Sequence, residues 1–198
     1  MKRYIKSAIK NISDEDFNTQ RHVASDPATR VETLRGMADT NDYFMNLDLA
    51  SNPSTPWDIL DKFTDFRHYS SHIRAAVASN PSATKEMLYK LMKPGDPIVY
   101  KAIAENPITP LDLLEEITHK QSFEFSDFSP AQAAVARNPN ATRSMLVYLA
   151  GSKNYDVRAW VARNPNTPDS VLRQLAQDER WDVRDSVTRN PRFSELQL

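Results

Sequence analysis

The chain has 198 residues with 13 Pro, 3 Gly and no Cys, and its 25 Lys/Arg against 26 Asp/Glu leave a formal charge of −1. Three glycines, Gly36, Gly95 and Gly151, cannot write a Walker loop or a dinucleotide fingerprint, and the lack of cysteine removes disulfides, thiolate metal sites, iron–sulfur clusters and cysteine nucleophiles. Near-neutral charge predicts no general pull toward nucleic acid or anionic membrane, and no apolar run approaches the roughly 20 residues that span a bilayer, so the expectation is a cytoplasmic protein with no membrane partner.

At the start of the chain, Tyr4, Ile5, Ala8, Ile9 and Ile12 share one helical stripe opposite Lys2, Lys6 and Lys10. This predicts an amphipathic helix over residues 1–16 that caps the rest of the chain; a membrane-surface or partner helix is the alternative.

From residue 17 onward the prolines are periodic. Asx-Pro pairs stand at Asp26-Pro27, Asn52-Pro53, Asn80-Pro81, Asn106-Pro107, Asn138-Pro139, Asn164-Pro165 and Asn190-Pro191, separated by 26, 28, 26, 32, 26 and 26 residues. A period of this size marks a solenoid or array. Four residues before each pair proline stand Val23, Leu49, Val77, Ile103, Val135, Val161 and Val187, and the next residue is Ala24, Ala50, Ala78, Ala104, Ala136, Ala162 or Thr188. One helical turn earlier come Met45, Ile73, Val99, Ala131, Val157 and Val183, so each unit opens with a short helix whose small residue meets a neighbouring backbone.

After the pair, Thr55-Pro56, Thr109-Pro110 and Thr167-Pro168 carry the grammar of a hydroxyl N-cap followed by proline at the first helical position, with Asp58 and Asp112 supporting the helix start. Ala83-Thr84 and Ala141-Thr142 reverse the order, which shifts the cap by one residue. Apolar pairs three apart then mark a second helix: Leu60 and Phe63, Leu88 and Leu91, Leu114 and Ile117, Leu146 and Leu149, Leu172 and Leu175. The Asn before each proline closes the first helix, and stacking places these amides in a ladder.

Two insertions interrupt the period. The shorter falls near Arg67-His68-Tyr69-Ser70. The longer, near 119–130, carries Phe123, Phe125 and Phe128, which either form a binding loop or fold back onto the stack. His68 and His72 are four apart, yet no third ligand accompanies them, so no metal site is expected. Two residues before the pair proline runs the row Ser25, Ser51, Ser79, Glu105, Arg137, Arg163 and Arg189, while Arg158 and Arg184, with Arg74 earlier, stand seven residues before it. Stacking turns these into basic stripes suited to carboxylate or phosphate, unless Asp156 and Asp182 neutralise them. The last unit is truncated at Leu198, leaving Phe193, Leu196 and Leu198 as an apolar end available for self-association.

The run Val157-Arg158-x-x-Val161-Ala162-x-Asn164-Pro165-x-Thr167-Pro168-x-x-x-Leu172-x-x-Leu175-Ala176, begun again at Val183-Arg184-x-x-Val187-Thr188-x-Asn190-Pro191, resembles the leucine-rich repeat variant (LRV) family. The resemblance implies an all-α, right-handed superhelical solenoid of about seven repeats over residues 17–198, each pairing an α-helix with a 3-10 helix. One family member carries a cysteine-ligated iron–sulfur module; this chain lacks the cysteines, so no cofactor is implied. The expected function is a non-catalytic scaffold that binds another protein, with phosphate-backbone binding to nucleic acid through the arginine stripe as the alternative.

Overall fold

The computed structural model describes residues 14–38, 42–92, 95–121 and 127–193. The expected capping helix lies outside them apart from residues 14–16, and so do Phe123, Phe125, Leu196 and Leu198. The described residues form thirteen α-helices and no strand, in two compact units, residues 1–84 and 85–198.

The first unit contains α1 (Asp14–Ser25), α2 (Val31–Met37), α3 (Tyr43–Ser51), α4 (Trp57–Lys62) and α5 (Ser71–Ser79). Its closest packing joins α1 to α3 and α3 to α5. The second unit contains α6 (Lys85–Met92), α7 (Pro97–Glu105), α8 (Leu111–Thr118), α9 (Ser129–Arg137), α10 (Arg143–Leu149), α11 (Tyr155–Arg163), α12 (Asp169–Leu175) and α13 (Trp181–Thr188). Here α7, α9, α11 and α13 stack each on the next, with the intervening helices packed beside them. Most helices are only six to nine residues long, below the length at which a helix holds in water, so neighbours must supply the stability. The aliphatic positions do so: Leu49, Val77, Ile103, Val135 and Val161 are all fully buried.

Both helices of a repeat are α-helical. The 3-10 geometry implied by the family resemblance is limited to short turns at helix ends and corners, as where the Ile59 N–H reaches the Pro56 carbonyl and the Phe63 N–H the Leu60 carbonyl, each at 3.1 Å.

The Asx-Pro corners form the expected ladder, with backbone carbonyls as its acceptors. The Asn164 Nδ2 donates to Ala136 O (2.7 Å) and Asn138 O (3.3 Å) of the preceding repeat, while its Oδ1 accepts the Asn166 N–H at 2.8 Å. Asn138 and Asn190 repeat the pattern in the second unit, and Asn52 and Asn80 in the first. The small residue three before the proline is thus where its backbone is reached by the asparagine amide of the following repeat. A second row runs outside it: Ser54 and Ser82 in the first unit, and Asn140 and Asn166 in the second, donate to the previous corner's proline carbonyl.

The Thr-Pro reading needs correction. Thr55, Thr109 and Thr167 do not cap the second helix; each hydroxyl is buried and donates backward, to Leu49 O (2.7 Å), Ile103 O (2.6 Å) and Val161 O (2.5 Å). The pair proline is the cause. It stands four residues after that carbonyl and has no N–H to give it, so the threonine supplies the donor. Pro56, Pro110 or Pro168 itself occupies the N-cap position. Asp58 and Asp112 are drawn to neighbouring repeats, Asp58 by the Arg35 guanidinium and Asp112 by the Tyr89 hydroxyl at 2.8 Å. In the reversed copy, Thr142 does cap, accepting the Met145 N–H at 3.3 Å.

Candidate binding face of the second unit

The row two residues before the pair proline lies at the C-terminal ends of α7, α9, α11 and α13, where it places Glu105, Arg137, Arg163 and Arg189. It is not a uniform basic stripe. Arg137 lies 3.4 Å from Glu105, and Arg189 pairs with Asp185 one turn back at 2.8 Å. The carboxylates that answer the row are therefore Glu105 and Asp185. Of the two expected from sequence, Asp182 pairs with Arg180 instead and Asp156 makes no ion pair among the described residues.

Arg137 and Arg163 converge on one ring. Their guanidinium carbons lie 4.6 and 4.9 Å from the centroid of Trp160, a half-buried indole on α11. Cations so placed are drawn to the ring's π face, and the stack immobilises both arginines. The Nε of Arg163 is buried there without a hydrogen-bond partner. Beside the ring opens a groove of about 250 Å³, floored by Pro130, Ala133 and Ala134 of α9 and walled by Trp160 and Asp156 on one side and Lys101 and Glu105 on the other. The small side chains of α9 leave room for the indole, which makes the groove a product of the repeat register.

Sequence reasoning misses Trp160. The available signal is its own register, since five residues before the other pair prolines stand His22, Asp48, Ala76, Ala102, Ala134 and Ser186. A lone Trp in that set marks a departure from the repeat.

Arg158 and Arg184 do not extend this surface. Arg158 is buried: its Nε and Nη2 take the Asp178 carboxylate at 2.7 and 2.9 Å, and its Nη1 reaches the carbonyls of Ser152 and Lys153 at 2.9 and 3.2 Å. The paired guanidinium holds the Asp178 carboxyl below the usual carboxylate range, and Asp178 raises the Arg158 pKa in turn. Arg74 is likewise buried, donating to Tyr69 O at 3.3 Å. Arg184 is exposed, with its Nη1 on the carbonyls of Asp178 and Glu179. The motif arginine thus reaches back to the loop that precedes its own helix. Phe128 is buried as well, 5.6 Å from the Tyr100 ring, and not part of an exposed aromatic loop. Phe193 is 36% exposed.

The buried arginine, the Asn-Pro corner and the Thr167 hydroxyl all fall in one 26-residue segment. Residues 155–180 are matched by the leucine rich repeat variant family model. LRV repeats are scaffold units, and scaffolds of this type typically serve interactions. No curated protein and no solved structure matches the chain. Among the described residues, no helix is long and apolar enough to cross a membrane, and no group of three metal-ligating side chains comes together. His68 instead lies 3.0 Å from the Asp65 carboxylate.

Proposed function

We propose that the chain is a non-catalytic LRV scaffold that binds another protein through the face formed by α9 and α11, with Arg137, Trp160 and Arg163 at its centre. The observation that carries this reading is the half-exposed indole with two guanidinium groups within 5 Å of its ring centre, at 4.6 and 4.9 Å, beside an alanine-floored groove. Trp and Arg dominate the energetics of protein interfaces, and a ring already held by its neighbours loses little freedom on binding. Phosphate-backbone binding fits the same face less well. Glu105 and Asp185 already answer two of the three arginines, and Asp156 lines the groove.

Affinity capture with the full chain, repeated with Trp160→Ala and with Arg137→Glu/Arg163→Glu, tests the reading. A protein partner whose affinity falls about tenfold or more in both variants supports it. Capture that is indifferent to Trp160→Ala overturns it. So does tight binding of an oligonucleotide that weakens by about 10³ between roughly 50 and 200 mM salt and is lost in the arginine variant, which would assign the surface to nucleic acid.

A further inference from the structure

Two charges that α13 answers from its own surroundings go unanswered on α11. In α13, Asp182 is held by Arg180 at 3.2 Å and Arg189 by Asp185 at 2.8 Å. One repeat earlier, 26 residues back in each case, the same charges stand as Asp156 and Arg163, but the places of their partners hold Asn154 and Ala159. Ala159 has no charge to offer. The Asn154 Oδ1 accepts the Asp156 N–H at 2.8 Å, which caps the helix and does nothing for the carboxylate. Among the described residues neither Asp156 nor Arg163 makes an ion pair, and the Arg163 Nε is buried with no hydrogen-bond partner.

Both charges flank one groove. Asp156 forms its wall together with Trp160, and the Arg163 guanidinium lies 4.9 Å from the centre of the same ring. Seven residues of helix separate the two, about 10 Å along the axis, with Asp156 in the first turn of α11 and Arg163 in the last. That exceeds the screening length of about 8 Å at physiological salt, so the two do not neutralise each other. Glu105 on the opposite wall is already shared by Lys101 at 3.0 Å and Arg137 at 3.4 Å. Between the charged ends the floor is Pro130, Ala133 and Ala134. The volume of about 250 Å³ falls below the roughly 300 Å³ at which small-molecule sites begin, so the groove suits side chains of a macromolecule better than a free ligand.

We propose that the protein partner of this face presents a basic and an acidic side chain about 10 Å apart, the basic head pairing with Asp156 and the carboxylate with Arg163. Such a partner supplies from outside the two counter-charges that the α13 repeat carries itself. A polyanion satisfies only the Arg163 end and is opposed by Asp156 at the other. The inference rests on the α9–α11 protein-binding reading and names the chemistry of its partner.

The probe comes from a random-peptide phage library panned on the immobilised full chain, with the enriched peptides then synthesised and titrated calorimetrically. Peptides that share one Lys or Arg and one Asp or Glu at a fixed spacing support the proposal when Asp156→Asn and Arg163→Gln each weaken them about tenfold. Replacing the peptide's base by Gln must cost as much in the wild type and nothing further in Asp156→Asn, since the two changes remove one interaction. Enriched peptides without the charge pair, or additive losses in that cycle, overturn the proposal. So does a library that enriches nothing, as when another segment of this chain fills the groove. A dimer in sedimentation that Asp156→Asn dissociates gives the groove to a second copy and overturns a separate partner. Peptides lost in Trp160→Ala but indifferent to Asp156→Asn and Arg163→Gln keep the α9–α11 face and sink only the charge pair, whereas indifference to Trp160→Ala sinks the face itself.

Discussion

Arg158 and Asp178 show at the scale of single residues why a motif arginine need not be a binding residue. Position alone assigns Arg158 to a surface stripe, because a lone charged side chain on a short helix is read as solvated. Its fate depends on a carboxylate 20 residues away, in the linker that begins the following repeat, and no local pattern reveals that pairing. The consequence is a defined pH dependence. Because the folded state holds the Asp178 carboxyl below its ordinary value of 3.8, its contribution to stability is fully present above that pH. It is lost as pH falls below 3.8 toward the folded value. Asp178→Asn is expected to cost about 3 kcal/mol near neutrality by leaving a buried guanidinium with only the exposed Glu179 carboxylate, 3.6 Å away, and to flatten the decline of the unfolding midpoint below about pH 4. Urea titrations of both chains at several pH values check this; parallel acid declines would show that Asp178 is not a source of the wild type's acid sensitivity.

For the elements, two short helices and a corner in each repeat are legible in the sequence, because Asn-Pro punctuation and aliphatic spacing are local properties. The role of the threonine is not, since Thr-Pro fits the grammar of a helix start equally well. Backbone bookkeeping decides between them. The carbonyl four residues before the pair proline is missing its ordinary donor, and a buried hydroxyl six residues along supplies one. Thr167→Val keeps the shape and removes that donor, leaving Val161 O with the Asn164 N–H at 3.1 Å. The expected cost is about 1–2 kcal/mol, read as a lowered urea midpoint with unchanged slope. A neutral result would mean that the Asn164 N–H alone satisfies the carbonyl.

On the scale of the whole molecule, the described units are held by links between successive repeats, and the asparagine amides are the polar part of each link. Their spacing is plain in the sequence; that their acceptors are the carbonyls of the preceding small residue and Asn emerges only once the repeats stack. Trp160 and its groove are hidden for the related reason that a surface between two repeats depends on what each places opposite the other. Nearest-neighbour coupling has a directional consequence within the second unit. The Asn190 amide ties α13 to α11 through Ala162 and Asn164, whereas the Asn138 amide ties α9 to α7, with further repeats packed beyond α9. Asn190→Ala should therefore raise amide hydrogen exchange in α13 and the C-terminal end of α11 while leaving α7 and α8 protected. Asn138→Ala should lower protection from α7 through α11, because repeats on both sides lose an interface that each needs. Equal loss of protection throughout the unit in both variants would instead show that it opens as a single cooperative block, with the repeats too strongly coupled for local opening to be seen.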